Sequence, residues 1–395
     1  MNILQLVPRI PAPPVDGGAI YVYHTALELS KLDNHVIVAA LHSNQHEQDA
    51  DQLRRFATVY TTEGAFEQYT AGAAIKSLLT RQPVTVQHRM KTARINRLID
   101  SIEEQVDVIL IEGIHISGAI SKLRQRFPGA PIILRQSNVE FDVLSTVGKQ
   151  MKNPLLKGFY TLQSRFMKQF ELEQINKSDA VTFISESDFE RFSSHISNLT
   201  YFISTAGSYL PEITENRNRH KMIALSNWEW QPNIQGLKWF LNTVWEDIMV
   251  RHPKLSFHIA GKGIPEDLKE QFASKRLIFE GFVDDIEQFR QEAGLFVAPL
   301  FSGSGMKLKV LEAFASGVPT ITTHIGIQGI EASPDVHYLH AETKDEFLEA
   351  IDTLVAHNEK RAAIGNRARE LIKEHYTWPV LAQKLHHFLA AISNS

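Results

Sequence analysis

The sequence has no cysteine, little net charge and no long apolar run. Without cysteine the chain cannot form disulfides, thiolate zinc sites, iron–sulfur clusters or a cysteine nucleophile, which suits a reducing compartment. Its 41 Lys and Arg against 45 Asp and Glu give a formal charge of −4, which argues against a nucleic-acid partner because such proteins are usually basic. The apolar stretch at 106–111 is far shorter than the roughly 20 residues of a membrane span. Residues 1–11 lack a signal-peptide pattern, so we expect a cytoplasmic globular protein.

The sequence does have two series of short apolar runs, separated by amphipathic segments. Runs with little alternation are typical of strands covered on both faces, and the order strand, helix, strand indicates a parallel sheet. The first series comprises residues 2–7, 35–41, 106–112, 131–136 and 180–185, and the second comprises residues 222–226, 255–260, 276–281, 294–299 and 319–323.

These two series predict an α/β protein with two Rossmann-like, doubly wound domains. Residues 1–205 form the first domain, which is expected to bind the acceptor, and residues 206–221 form a linker. Residues 222–376 form the second, nucleotide-binding domain, and a C-terminal helix at 377–395 packs back on the first. Ligands bind at the carboxyl ends of parallel strands, so two such sheets facing across a cleft suit a transfer between two substrates.

The segment 301–323, FSGSGMKLKVLEAFASGVPTITT, carries the strongest functional signal. Its glycines precede a predicted helix, where free backbone N–H groups and the helix dipole favour an anion such as phosphate. Lys307 and Lys309 place positive charge where that dipole disfavours it, which indicates a bound diphosphate. The structural alternative is a solvated loop followed by a helix on which Lys309 and Glu312 form a surface pair.

The order of glycine loop, basic residue, Leu-Glu-Ala and Gly-x-Pro before a β-branched strand resembles the donor-site signature of retaining GT-B glycosyltransferases of the family 4 group, the glycosyl transferases group 1. The resemblance implies a GT-B fold and a nucleotide diphosphate sugar as co-substrate, with no metal ion and no other cofactor. It implies that Glu312 holds the ribose hydroxyls. Many relatives neutralise the diphosphate with an Arg and a Lys in the loop that corresponds to residues 226–240, and our hypothesis is that Lys307 and Lys309 replace them and relieve the charge of the departing diphosphate. Ser304 stands where the family has its first glutamate. The resemblance also predicts donor contacts at Gly17, Gly18, Gly261, Phe282, Val283, Gly303, Ser304, Gly305, Met306 and Leu308.

In the first domain, His115 follows the strand that ends at Glu112. The resemblance makes His115 a catalytic residue that contacts the transferred sugar, whereas an isolated histidine is more often a solvated or hydrogen-bonded filler. Asn138 and Glu140 follow the next strand and are candidates for the acceptor side. The alternative for Asn138 is that it caps the following helix.

Residues 151–170 carry Lys152, Lys157, Arg165 and Lys168 among bulky apolar side chains and no acid. Such a stretch can lie on an anionic membrane, which would place the protein peripherally on the inner face and favour a lipid-linked acceptor over a soluble glycan. The alternative is a solvated helix face. The Asp-x-Asp at residues 49–51 is interpreted as a helix start and not as a metal site.

The sequence therefore predicts a metal-independent glycosyltransferase of polysaccharide synthesis. Two alternatives remain open at this stage. One is a non-catalytic binding partner that kept the fold, which Ser304 favours. The other is a sugar-nucleotide epimerase, an enzyme class that also uses two facing Rossmann-like domains.

Overall fold

The computed structural model describes residues 1–42, 48–62, 71–89, 92–196, 200–213, 217–303 and 305–394. The chain divides into two compact units. The first consists of Met1–Thr205 together with Leu381–Ser395, and the second consists of Ala206–Val380. The two units are treated one at a time below.

The first unit alternates strands with helices along the chain. Its strands are β1 (Asn2–Val7), β2 (His35–Leu41), β3 (Thr58–Thr62), β4 (Val108–Glu112), β5 (Ile132–Gln136), β6 (Ala180–Phe183) and β7 (Thr200–Ile203). Its helices are α1 (Gly17–Ser30), α2 (Ala50–Arg54), α3 (Ala71–Thr80), α4 (Val84–Arg89), α5 (Thr92–Asp100), a 3₁₀ helix (Ile114–Ala119), α6 (Ile120–Arg126), α7 (Glu140–Gln150), α8 (Pro154–Lys177) and α9 (Glu186–Ser193).

These strands form a parallel sheet in the order β3-β2-β1-β4-β5-β6-β7. Its central strands are largely apolar, as expected of strands that helices cover on both faces. One face packs on residues of α5, α6 and α8, such as Ile95, Leu123 and Met167. The other packs on α1 and on the end of the chain, where Leu385 and Leu389 join the core.

The second unit repeats this alternation. Its strands are β8 (Asn218–Leu225), β9 (Ser256–Ala260), β10 (Leu277–Gly281), β11 (Ala293–Ala298), β12 (Thr320–Thr322) and β13 (Leu339–His340). Its helices are α10 (Gln231–Thr243), α11 (Trp245–Arg251), α12 (Glu266–Phe272), α13 (Ile286–Gln291), α14 (Leu308–Ala315), α15 (His324–Ile327), α16 (Lys344–Ala356), α17 (Asn358–Leu371), a π-helix (Ile372–Tyr376) and α18 (Trp378–Ser393), whose residues from Leu381 onward belong to the first unit.

The second sheet is parallel, in the order β10-β9-β8-β11-β12-β13. In both sheets the strand order reverses once, between β1 and β4 in the first and between β8 and β11 in the second. At such a point two neighbouring loops leave the sheet in opposite directions and open a crevice at the carboxyl ends of the strands. The fold thus marks one candidate ligand position in each unit.

The predicted α/β class with two doubly wound sheets is confirmed, while some boundaries differ. The first strand of the second unit begins at Asn218, inside the predicted linker. The sequence missed this start because the first three residues of the strand are polar and at least partly exposed. The sequence also missed β3, β7 and β13, which lie at sheet edges and are short or polar. Among the described residues, no helix combines the length and the apolar character that a membrane span needs.

Candidate active site

The loop after β11 lies at the strand-order reversal of the second sheet and ends where α14 begins at Leu308. Gly303 has a φ of +110° and Gly305 a φ of +74°, conformations that residues with a side chain rarely adopt. The loop therefore depends on glycine for its shape. Ser304, which lies between them in sequence, falls outside the described residues.

Lys309 connects this loop to the neighbouring strand of the reversal. Its Nζ donates to Ser226 Oγ at 2.9 Å and to Asn233 Oδ1 at 2.5 Å. Ser226 directly follows β8, and Asn233 lies in the first turn of α10. Burial lowers the pKa of Lys309 to about 7, and the nearby Lys307 ammonium contributes to the lowering. The site thus contains a partly buried amine that is held by two neutral oxygens.

Lys307 occupies the position just before α14, where its side chain makes no capping bond. Its Nζ donates to the backbone carbonyl of Gly305, so both lysines lie at the start of this helix. The side chains of Met306 and Leu308 pack partly against the adjacent core. The structure therefore brings together the predicted donor contacts from Gly303 to Lys309 that it describes.

Glu312 does not form the alternative surface pair with Lys309. Its Oε2 accepts from Arg290 Nη2 at 3.0 Å, and Arg290 also binds Glu287 at 2.8 Å. Burial raises the pKa of Glu312, while Arg290 opposes that shift and Glu287 adds to it. Arg290 therefore fixes the direction of the Glu312 carboxylate. The sequence analysis did not single out Arg290, and the only signal for it was a basic residue on the helix that precedes α14.

Gly261 supports the site from behind. A Cβ on Gly261 would lie 1.8 Å from the carbonyl oxygen of Ser226, so the absence of a side chain lets the β9 loop approach the residue that binds Lys309. Trp228 is buried and donates its indole N–H to the Ala260 carbonyl at 2.8 Å, which agrees with a packing role. In the next loop Phe282 is 76% exposed, and Val283 packs partly on the core.

In the first unit, His115 and Glu140 come together at the carboxyl ends of β4 and β5. His115 lies in the 3₁₀ helix that follows Gly113 and is 8% exposed. Its Nε2 is 3.8 Å from Glu140 Oε2, and Glu140 is the first residue of α7. The two residues that the sequence proposed separately therefore form one imidazole–carboxylate pair.

Asn138 does not cap α7, so that alternative is wrong. The N-cap residue is Val139, which makes no side-chain capping bond, and Asn138 is exposed. The backbone N–H groups of Glu140 and Phe141 donate instead to the carboxylate of Glu171, which comes from α8. Sequence reasoning missed Glu171, because nothing in a polar helical segment shows which acid will be buried.

A buried ion pair lies beneath this pair of residues. Arg135 Nη1 binds Glu112 Oε1 at 2.5 Å, and both side chains are almost fully buried. Gln5 donates to the same Glu112 oxygen at 3.0 Å, Arg135 Nη2 donates to Thr25 at 3.1 Å, and the guanidinium lies 4.2 Å from the ring centroid of Tyr21. These contacts connect β1, β4, β5 and α1 at the carboxyl edge of the sheet.

Gly17 and Gly18, which the resemblance makes donor contacts, are the first two residues of α1. The carboxylate of Asp16 accepts from the N–H of Ala19 at 3.1 Å and binds Arg9. An internal carboxylate thus already stands at this helix N-terminus, which weakens the case for a donor phosphate there.

The Asp-x-Asp segment is a helix start, as expected. Asp49 is the N-cap of α2, and its carboxylate accepts from the backbone N–H groups of Asp51 and Gln52. Over the described ranges, no group of three or more His, Asp or Glu side chains is placed to hold a metal ion. Metal independence of the reaction stays a prediction.

Three solved structures illustrate what the fold is similar to. Sucrose-phosphate synthase from Thermosynechococcus elongatus aligns with a TM-score of 0.69 at 14% identity over 99% of each chain. A mutant of TarM from Staphylococcus aureus, in complex with fondaparinux, alpha-GlcNAc-glycerol and UDP, aligns with a TM-score of 0.66 at 12% identity over 100% of each chain. Anabaena HepE in complex with UDP-glucose aligns with a TM-score of 0.65 at 12% identity over 98% of this chain and 99% of that one. Identities this low establish the fold, which is GT-B.

The family model described as glycosyl transferases group 1 matches residues 219–357, most of the second unit. Residues 219–357 therefore belong to a glycosyltransferase family, and the whole chain has the GT-B fold. The matched region contains Lys309, Glu312 and the glycine loop. Its sequence is also similar to an uncharacterized 44.6 kDa protein in the cps region of Klebsiella pneumoniae, with 23% identity over 266 residues. That alignment covers 65% of this chain and 66% of the relative.

Proposed function

We propose that this glycosyltransferase moves a sugar from a nucleoside diphosphate sugar to a glycan or lipid-linked acceptor, with retention of anomeric configuration and without an obligatory metal ion. The observation that carries the donor assignment is the partly buried Lys309 amine at the strand-order reversal, bound to Ser226 and Asn233. UDP is the first nucleotide to test, because HepE and TarM, which share the fold, were solved with UDP or a UDP-sugar.

In the proposed reaction the bond between the anomeric carbon and the diphosphate oxygen breaks, and the acceptor oxygen forms the new glycosidic bond. Negative charge develops on the departing diphosphate, where Lys307, Lys309 and the backbone N–H groups of the glycine loop would stabilise it. The leaving phosphate takes the proton of the acceptor hydroxyl, so no protein carboxylate acts as a nucleophile. His115 contacts the transferred sugar, and Glu312 accepts hydrogen bonds from the ribose hydroxyls.

A panel of labelled nucleoside diphosphate sugars, incubated with the purified protein and candidate acceptors, tests this function. We expect transfer of label to an acceptor, an α-linked product from an α-linked donor by NMR, and equal rates with and without EDTA. An inverted product would contradict retention, and loss of activity in EDTA that Mg²⁺ or Mn²⁺ restores would contradict metal independence. Altered free sugar nucleotide without transfer would indicate an epimerase.

We also propose that the start of α8 contacts an anionic membrane and so brings the enzyme to a lipid-linked acceptor. Leu155 is 84% exposed and Leu156 is 47% exposed, in the first turn of α8, and Lys152 and Lys157 beside them are exposed. Lys168 serves a different purpose, because its ammonium lies 5.5 Å from the ring centroid of Phe141.

Sedimentation with phosphatidylglycerol vesicles at low salt tests the membrane contact. Each exposed cation near the surface contributes on the order of 1 kcal/mol, so changing Lys152, Lys157 and Arg165 to Gln should release the protein. The matched control changes three exposed lysines elsewhere, Lys254, Lys275 and Lys384, to Gln. If the wild type stays in the supernatant, or if both variants bind alike, this surface is a solvated helix face.

A further inference from the structure

Helix α7 receives its N-terminal cap from a distant part of the chain. The first N–H groups of a helix have no partner within the helix, and a side chain at the N-cap position usually supplies one. Val139 at that position cannot do so. Instead the fully buried Glu171 of α8 accepts from the N–H of Glu140 at 3.1 Å with Oε1 and from the N–H of Phe141 at 3.0 Å with Oε2.

Other contacts hold the same end of α7. Ser164 Oγ, also on α8, donates to the Phe141 carbonyl at 2.8 Å. Arg191 of α9 binds the Asp142 carboxylate through two hydrogen bonds of 2.6 Å and 2.7 Å. The backbone of Glu140 is therefore fixed on both sides, while its carboxylate points to His115.

Glu171 is a costly way to cap a helix. Burial raises its pKa to about 8, and although the two backbone N–H bonds oppose this shift, the Glu140 and Asp142 carboxylates add to it. An Asn, Ser or Asp at position 139 would cap the helix locally without burying an acid. A side chain from α8, unlike a local cap, also fixes α7 relative to α8.

We propose that Glu171 is a positioning residue that sets the Glu140 carboxylate against the His115 imidazole. The relevance of this pair to catalysis rests on the proposed role of His115 as a contact to the transferred sugar. At 3.8 Å the imidazole and the carboxylate are just beyond direct hydrogen-bond distance, so a small displacement of the first turn of α7 makes or breaks their contact. Glu171 itself touches no substrate in this scheme.

Glu171→Gln tests the proposal, because it keeps the shape of the side chain but turns an NH₂ group toward a backbone N–H. The matched control is Glu173→Gln, two residues along α8, which removes an exposed pair with Lys177 at 2.5 Å. The readouts are the imidazole NMR signal of His115, assigned with His115→Asn, and the kcat and KM of transfer from UDP-sugar. We expect Glu171→Gln to shift the His115 signal and to lower kcat about tenfold or more, since misplacement of about 1 Å can cost about a hundredfold.

The donor KM should change little in this variant, and Glu173→Gln should leave the signal and both constants unchanged. If Glu171→Gln does not fold, Glu171→Asp keeps the carboxylate one methylene short and should give the same changes to a smaller degree. An unmoved His115 signal in a folded Glu171 variant overturns the proposal whatever the activity. A shifted signal with unchanged kcat, together with an active His115→Asn variant, upholds the positioning and instead contradicts the proposed role of His115.

Discussion

The two units hold the charges at the carboxyl edges of their sheets differently. In the first unit, the Arg135 guanidinium and the Glu112 carboxylate form an ion pair at 2.5 Å, with both side chains almost fully buried. In the second, the Lys309 amine donates to two neutral oxygens, those of Ser226 and Asn233, and burial lowers its pKa to about 7.

This difference indicates that the Arg135–Glu112 pair supports the fold and that Lys309 binds a ligand. An ion pair has no net charge and so does not need a further counter-ion, and it connects the strands that carry its two residues. A partly buried amine that is held by neutral oxygens and has a lowered pKa is stabilised further when an anion binds, and such perturbed groups in crevices are candidates for function. We therefore expect changes in the first pair to act on stability and changes at Lys309 to act on turnover.

The largest expected effect is the loss of stability when the buried pair is broken. Arg135→Met leaves the Glu112 carboxylate without its cation and should lower the free energy of unfolding by about 3 to 5 kcal/mol. The five tryptophans all lie in the second unit. In urea, circular dichroism should therefore show an early transition of the first unit, while tryptophan fluorescence keeps its midpoint.

The double variant Arg135→Met/Glu112→Leu, which removes both charges, should recover most of this stability. If Arg135→Met alone unfolds at the wild-type midpoint by both probes, the pair does not stabilise the first unit.

The second largest expected effect is a loss of turnover, and it tests the role of Lys309 in the second unit. Lys309→Met removes the amine from the proposed diphosphate site and should lower kcat about 10²- to 10³-fold, the usual cost of losing one donor to developing charge. KM for the donor should rise less, because the charge develops in the transition state. Lys262→Met, at an exposed lysine 3.2 Å from Glu229, is the control and should be fully active. If Lys309→Met turns over at the wild-type rate, another cationic residue stabilises the departing diphosphate.

Most of the fold could be predicted because the central strands are apolar on both faces. The runs 2–7 and 35–41 match β1 and β2 to the residue. The sequence did not predict the edge strands, because one side of an edge strand faces solvent. For example, β3, with the sequence TVYTT, is only partly buried. A run of apolar residues indicates a buried strand, so this signal becomes weaker in strands that are partly exposed.

The site could be predicted only in part, for a related reason. The glycine loop, Lys309 and Glu312 could be found because neighbouring residues share one short motif. Arg290, Glu171 and the Glu112–Arg135 pair depend on contacts between residues 22 or more positions apart. Nothing in the local sequence says which charged side chain will meet which partner across the core, so the supporting residues appear only in the structure.

The third effect concerns the ribose. Glu312→Gln should weaken UDP binding by roughly 1.5 to 3 kcal/mol, because a hydrogen bond to a charged acceptor is worth about that much. Calorimetry with UDP and with 2′-deoxy-UDP checks this, since the variant should lose less affinity for the deoxy nucleotide. Glu287→Gln is the control, because it removes the other acid bound to Arg290 without touching the ribose. If both variants lose equal affinity for both nucleotides, Glu312 supports the site but does not bind the ribose.

The smallest expected effect is the pH dependence of nucleotide affinity, and it tests directly whether Lys309 differs from the neutralised pair of the first unit. With its pKa lowered to about 7, Lys309 in the free enzyme loses its charge as the pH rises above that value. A bound diphosphate favours the protonated amine, so binding above pH 7 must take up a proton. Affinity for UDP should then fall as the pH rises, by at most tenfold or about 1.4 kcal/mol per pH unit. Calorimetry in buffers of different ionisation enthalpy should register the proton uptake, and Lys309→Met should abolish both the uptake and the slope. An affinity that stays level from pH 7 to pH 9 in the wild type, or that falls equally in Lys309→Met, would mean that the amine does not meet the diphosphate.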